Sequence, residues 1–202
     1  SEIGTGVPYN DCYFTYGVNG NNTYGVPCMP DPDFADLRFL SLMGDYAEYE
    51  LMYRDHVYEN YLDVPERTRM ALMDWAAGQG IRPDSPTLIT DIQTAVQNGA
   101  YYSQHSGTYP PGVDVAVHFL TAAKEGVCQH FATAATLLYR CYGIPARYTT
   151  GFLSTVYEGT GTAIVGNDAH AWVEIYQDGL GWVHVEVTGS NMSPDDMIPS
   201  DL

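Results

Sequence analysis

Lys124-Glu125-Gly126-Val127-Cys128-Gln129-His130-Phe131-Ala132-Thr133-Ala134-Ala135 is the stretch on which the fold turns. From Val127 the residues are mostly apolar as far as Tyr142, and Gly143 follows. That pattern predicts a buried helix closed by a glycine that can take the left-handed conformation. Cys128 opens this helix. The first N–H groups of a helix lack intrahelical partners, and its dipole favours negative charge there, so a thiol at this position is biased toward the nucleophilic thiolate. The alternative is a buried thiol that only packs. Cys141 is that kind of residue: it lies about 220° around the axis and roughly 20 Å along it from Cys128, so the two cannot pair. His130 points about 200° away from Cys128 and is a poor partner for it.

A base has to come from further along the chain. Pro145 to Leu153 alternates as a strand, with Ala146, Tyr148 and Thr150 on one side and Arg147 and Thr149 on the other. Ala169 to Tyr176 and Gly181 to Thr188 read as two strands of a hairpin joined by Gln177-Asp178-Gly179-Leu180. His170 opens the first of these; His184 and Glu186 share one face of the second. Across the hairpin Glu186 can reach His170 and orient it, which yields nucleophile, base and acid from helix, strand and neighbouring strand. Asp168 is a rival acceptor, two residues before His170. A zinc site built from Cys128, His170, His184 and Glu186 competes for the same residues, but no C-x-x-C or H-x-x-x-H pair supports it, so no metal is expected. No EF-hand loop or glycine-rich phosphate loop is present.

Upstream, residues 1–34 are rich in Tyr, Asn, Gly and Pro and read as an irregular extension. Cys12 and Cys28 lie within it and can form a disulfide in an oxidising compartment. Helical periodicity begins at Asp33, with Phe34, Leu37, Leu40 and Leu51, and a break at Gly44. It continues through Tyr53, Val57 and Tyr61, resumes after Pro65, and returns after Ser85-Pro86 until Asn98-Gly99. Tyr101-Tyr102 reads as a short strand. The expected organisation is an extension over 1–34, a helical lead-in over 35–84, a core over 85–190 and an acidic tail over 191–202.

The chain has 202 residues, with 8 Lys+Arg against 25 Asp+Glu, a net charge of −17. Lys124 is the single lysine. So few cations leave no footprint for nucleic acid, and an anionic membrane surface repels the chain. With 45% hydrophobic and 16% charged residues it is not a disordered segment. It starts at Ser1 with no signal-peptide pattern, which we read as an excised or mature piece of a longer protein, outside the cell or at its surface.

Four ordered stretches now resemble a known family: Lys124 to Ala135, Gly143-Ile144-Pro145-Ala146-Arg147-Tyr148-Thr149-Thr150-Gly151-Phe152, Asp168-Ala169-His170-Ala171-Trp172-Val173-Glu174, and Gly181-Trp182-Val183-His184-Val185-Glu186-Val187-Thr188. Together they closely resemble the bacterial and archaeal branch of the transglutaminase-like superfamily. Pro111-Gly112-Val113-Asp114 and the Tyr53–Pro65 segment resemble its lead-in. The resemblance implies an α+β, papain-like core, with a nucleophile helix packed on an antiparallel sheet. It implies Cys128 as nucleophile and His170 as base. Its third motif usually ends Asp-Pro-Thr; here Glu186-Val187-Thr188 stands in that place, and the longer carboxylate has to fold back to meet the imidazole. Tyr102 and Gln104 are the candidates for a second oxyanion donor beside the Cys128 N–H. Trp172 and Trp182 are expected to pack around the histidine strand, and Arg147 to hold an ion pair.

The expected activity is cysteine-dependent cleavage of an amide in a protein or peptide substrate through a thioester on Cys128, with hydrolysis leading. The alternatives are transfer of a glutamine acyl group to an amine, or a catalytically silent binding module. No cofactor is expected. The chain is expected not to insert in a membrane itself, though it suits the ectodomain of a membrane-anchored protein.

Overall fold

Arg147 and Glu174, both charged, lie on the outer face of a small antiparallel sheet whose other face carries the apolar core. The computed structural model describes residues 46–153, 163 and 165–191. These belong to one compact unit, residues 45–202. The expectations for the extension over 1–34, the Asp33–Gly44 segment, the Cys12–Cys28 disulfide, the Gly159–Gly166 excursion before Val165 apart from residue 163, and the tail beyond Asn191 lie outside the described residues.

Three helices come first: α1 (Tyr46–Asn60), α2 (Glu66–Gly78) and α3 (Leu88–Gly99). Pro65 is the cap of α2, with φ −54° and ψ 135°. Its missing N–H costs nothing at a helix start. Helix α3 begins at Leu88, later than the Ser85-Pro86 reading. The reason is Asp91, whose carboxylate accepts from both Ser85 Oγ at 2.5 Å and Thr87 Oγ1 at 3.0 Å and so holds those residues as a turn outside the first helical residue. Strand β1 (Tyr101–Tyr102) follows. Next come α4 (Val115–His118), a wide helical turn over Phe119–Ala123, and β2 (Glu125–Gly126). Asp114 caps α4, accepting from Val117 N–H at 3.0 Å and from Thr68 Oγ1 at 2.5 Å. Lys124, at φ 52°, takes the left-handed conformation and turns the chain into β2.

Helix α5 (Cys128–Cys141) is the centre of the described unit. Phe131, Ala132, Ala134, Ala135, Leu138 and Tyr139 are all fully buried, which is why its sequence lacks a clean polar face. One side packs on the sheet and the other on α2, α3 and α4. Gly143 (φ 75°) closes it as expected. The sheet is β3 (Ala146–Phe152), β4 (Ala169–Gln177) and β5 (Gly181–Val185), in that order and antiparallel throughout. The inward residues Ala146, Ala171, Val173, Ile175 and Val185 join the core. Strand β5 is shorter than the sequence reading, and Glu186 stands just past its end. The fold is α+β. Among the described residues, no helix is long and apolar enough to cross a membrane.

Candidate active site

Lengths place the ends of the helix and the sheet. Helix α5 is 14 residues and β3 is 7, so both run about 20 Å. A short turn joins them in opposite directions, and Arg140 Nε donates to the Ala146 carbonyl at 2.8 Å where they meet. The far end of β3 therefore lies level with the start of the helix, at Cys128. There Gly151 pairs with His170. The strand pairing thus sets His170 near the far end of β3.

His170 and Glu186 meet directly, Nε2 to Oε2 at 2.6 Å. The longer glutamate side chain does fold back: its other oxygen, Oε1, accepts from the Thr188 N–H at 2.8 Å. Burial opposes ionisation of Glu186, but the Thr188 N–H and the His170 ring together outweigh it and hold the carboxyl below its ordinary range. An ionised carboxylate only accepts, so Nε2 is the protonated nitrogen of the neutral ring. That leaves Nδ1 to exchange a proton. Two side chains of α3, Gln93 and Gln97, donate to the Glu186 carbonyl at 2.8 and 3.0 Å and pin its main chain. Asp168 accepts instead from the Val165 N–H at 2.8 Å, so it builds the turn before β4.

Cys128 is half-buried, and among the described residues it makes no hydrogen bond to His170. Catalytic hydrogen bonds are often long before substrate binds and tighten in the complex. The turn leading into the cysteine is held by His130. Its Nδ1 accepts from the Val127 N–H at 3.1 Å. Its ring lies between Tyr109 (centroids 4.9 Å apart) and Phe119 (5.8 Å). A Cβ on Gly126 would meet His130 Nδ1 at 2.7 Å, so the glycine makes room for the ring. Burial lowers the His130 pKa, which favours the neutral ring that this acceptor role needs. Sequence reasoning passed over His130 because it points away from Cys128. The available signal was its place three residues after the cap, where a side-chain acceptor can reach back to the capping N–H.

Strand β1 runs parallel to β2, pairing Tyr102 with Gly126, and Ser103 N–H donates to the Gly126 carbonyl at 2.9 Å. The segment carrying Tyr102 and Gln104 thus lies beside the approach to Cys128. Tyr102 is half-buried against the core and Gln104 is exposed.

The other marked residues form the outer face of the sheet. Trp172 stacks on His170 at 6.3 Å and meets the exposed His184 edge-on at 5.8 Å. Its ring also occupies the space where a Gly151 side chain would be, 2.7 Å from the position of a Cβ. Glu174 accepts from Arg147 at 2.6–2.7 Å and from Trp172 Nε1 at 3.3 Å. Arg147 is buried and lies 4.2 Å over the Trp182 ring. Among the described residues, no three His, Cys, Asp or Glu side chains gather in a way that would hold a metal ion.

A family model described as the transglutaminase-like superfamily matches residues 75–187. The chain is 28% identical over 173 residues to the uncharacterized protein YebA of Bacillus subtilis, covering 82% of this chain and 23% of that protein. It is 36% identical over 91 residues to a protein-glutamine gamma-glutamyltransferase of Pseudomonas aeruginosa, covering 44% of this chain and 13% of that protein. It thus spans less than a quarter of the length of either relative. Among solved structures, the periplasmic domain of TgpA from Pseudomonas aeruginosa, bound to ethylmercury, is similar with a TM-score of 0.55. Identity there is 24%, over 70% of this chain and 51% of that one. With the match over residues 75–187 and the shared fold, the chain belongs to the transglutaminase-like superfamily.

Proposed function

We propose that this domain is a cysteine-dependent acyl-transfer enzyme acting on amides of proteins or peptides, with Cys128 as nucleophile, His170 as base and acid, and Glu186 as the group that orients His170. The observation that carries this reading is the 2.6 Å contact between His170 Nε2 and Glu186, which leaves Nδ1 available at the end of the layer where Cys128 begins its helix. His170 takes the Cys128 proton, and the thiolate attacks the amide carbonyl. The oxyanion formed is met by the Cys128 N–H, which has no partner within the helix, and by a donor from the Tyr102–Gln104 segment. The C–N bond breaks as His170 returns the proton to the leaving amine. The acyl group remains on Cys128 as a thioester.

An incoming nucleophile loses its proton to His170, attacks the thioester and expels the thiolate. The relative named as a protein-glutamine gamma-glutamyltransferase favours an amine as that nucleophile, so transamidation moves ahead of the hydrolysis expected from the sequence. The single lysine, Lys124, fits the same reading, because a thioester enzyme with few amines of its own has few to acylate in error. A site outside the cytoplasm suits the likeness to a periplasmic domain.

The test incubates a glutamine-bearing protein with a biotinylated primary amine and follows amine incorporation and ammonia release. Incorporation abolished by Cys128→Ala is the expected result. Ammonia release without incorporation assigns hydrolysis. Neither product from the unaltered chain, across a peptide library, contradicts the enzyme reading.

A further inference from the structure

Hydrogen bonding in β3 divides by parity. Tyr176 N–H donates to the Pro145 carbonyl at 2.9 Å and Leu153 N–H to the Asp168 carbonyl at 2.8 Å. With the register between them, the odd residues 147, 149 and 151 are those that bond to β4. The even residues turn their N–H and C=O away from the sheet. At Ala146 this outward pair is used: its N–H donates to the Tyr61 carbonyl at 3.2 Å, and its carbonyl accepts from Arg140. Beyond it the outward groups of Tyr148, Thr150 and Phe152 have no partner among the described residues, and β3 is the edge of the described sheet.

This edge, unpartnered among the described residues, includes Tyr148, which feels the charge of Cys128. It runs toward the helix start, and its last residues pair with Ala169, His170 and Ala171. The even side chains share the face on which α5 packs. Tyr148 is 41% and Phe152 56% exposed, an apolar cost that a covering partner would remove. Burial and the charge of Cys128 both push the Tyr148 phenol up, which agrees with its closeness to the thiol.

We propose that the Tyr148–Phe152 edge of β3 binds the acyl-donor substrate as an added strand, so that the substrate is an extended peptide segment whose main chain pairs with Tyr148, Thr150 and Phe152 while its reactive side chain projects toward Cys128. Strand addition takes affinity from main-chain hydrogen bonds and selectivity from alternate side chains. An extended segment presenting apolar side chains on the face shared with Tyr148 and Phe152 fits best. This inference rests on the reading of Cys128 given above.

The test uses the full chain and three reagents: iodoacetamide, a short apolar peptide carrying a chloromethyl ketone in place of a glutamine amide, and the same peptide with N-methylated backbone amides. Cys128 labelling is read by mass spectrometry. The peptide reagent should label at least about tenfold faster than its N-methylated form, the ratio of one well-formed hydrogen bond. Thr150→Pro deletes an N–H that faces away from β4 and is tolerated at a sheet edge. It should erase that ratio while leaving the iodoacetamide rate unchanged. Equal labelling by the two peptides on the unaltered chain overturns the proposal without any variant. A dimer that Thr150→Pro dissociates gives the edge to a second copy and also overturns it. An iodoacetamide rate at Cys128 no faster than at Cys141 removes the reading of Cys128, and this proposal with it.

Discussion

One methylene separates Glu186 from the aspartate that the family pattern carries at this position, and the structure shows how it is absorbed. The carboxylate bends so that one oxygen meets His170 and the other meets the Thr188 N–H. Glu186→Gln keeps the shape and loses the charge that fixes the ring tautomer. We expect kcat to fall about 10²–10⁴-fold, the range for a mispositioned general base, with KM nearly unchanged. The same residue predicts a pH dependence. Its folded pKa lies below the ordinary 4.5, so the stability it contributes is present above that value and is lost as pH falls through the lower, folded one. Melting temperatures measured downward from pH 5 should therefore drop more steeply for the unaltered chain than for Glu186→Gln. Parallel curves would mean that the contact does not favour the charged form.

Helix α1 and the β4–β5 hairpin are joined through one buried carboxylate. Glu50 is 6% exposed and accepts from Tyr176 Oη at 3.0 Å and from the Gly179 N–H at 2.9 Å, while Arg54 pairs with it at 2.6 Å. Trp182 Nε1 donates to Tyr53 Oη at 2.8 Å alongside. The hairpin also carries His170 on its first strand, so α1 braces the strand that bears the candidate base. Glu50→Ala removes the acceptor of the buried Tyr176 hydroxyl and of the half-buried Gly179 N–H, at a cost of about 1–3 kcal/mol for a buried group that loses its bond. Urea unfolding should show that loss. A midpoint unchanged by Glu50→Ala would show the brace to be idle. None of this was legible in the sequence, where α1 read only as an apolar stripe at Tyr53, Val57 and Tyr61. A partner 129 residues away leaves no periodic trace.

At the scale of the whole molecule, hydrophobic periodicity gave the helix after Cys128 and the hairpin, because buried helices and paired strands impose their periods on the chain, while the α+β class came from the resemblance to the family. The His170–Glu186 contact was legible for the same reason: alternation puts residues 170 and 186 on one face. The Gln93 and Gln97 clamp was not, since it depends on how α3 docks. The role of His130 was signalled only by its place three residues after the cap, and the close approach at Gly126 that completes it left no sequence trace. The net charge of −17 acts on all of this at once, since like charges repel in the compact state. Salt screens such repulsion within about 10 Å at 0.1 M. The melting temperature should rise by several degrees from 10 mM to 0.3 M NaCl, and a flat or falling curve would show that ion pairs such as Arg147–Glu174 dominate.

The central claim is that Cys128, His170 and Glu186 act as one unit. Its most direct test is the rate of Cys128 alkylation by iodoacetamide across pH, read site by site by mass spectrometry, with His170→Ala and Glu186→Ala beside the unaltered chain. Cys141 is the internal reference, because burial pushes its thiol pKa up. The account predicts that Cys128 reacts faster than Cys141 at neutral pH, by at least about tenfold, and that both substitutions slow it. A Cys128 rate equal to that of an ordinary thiol, and indifferent to both substitutions, would contradict it.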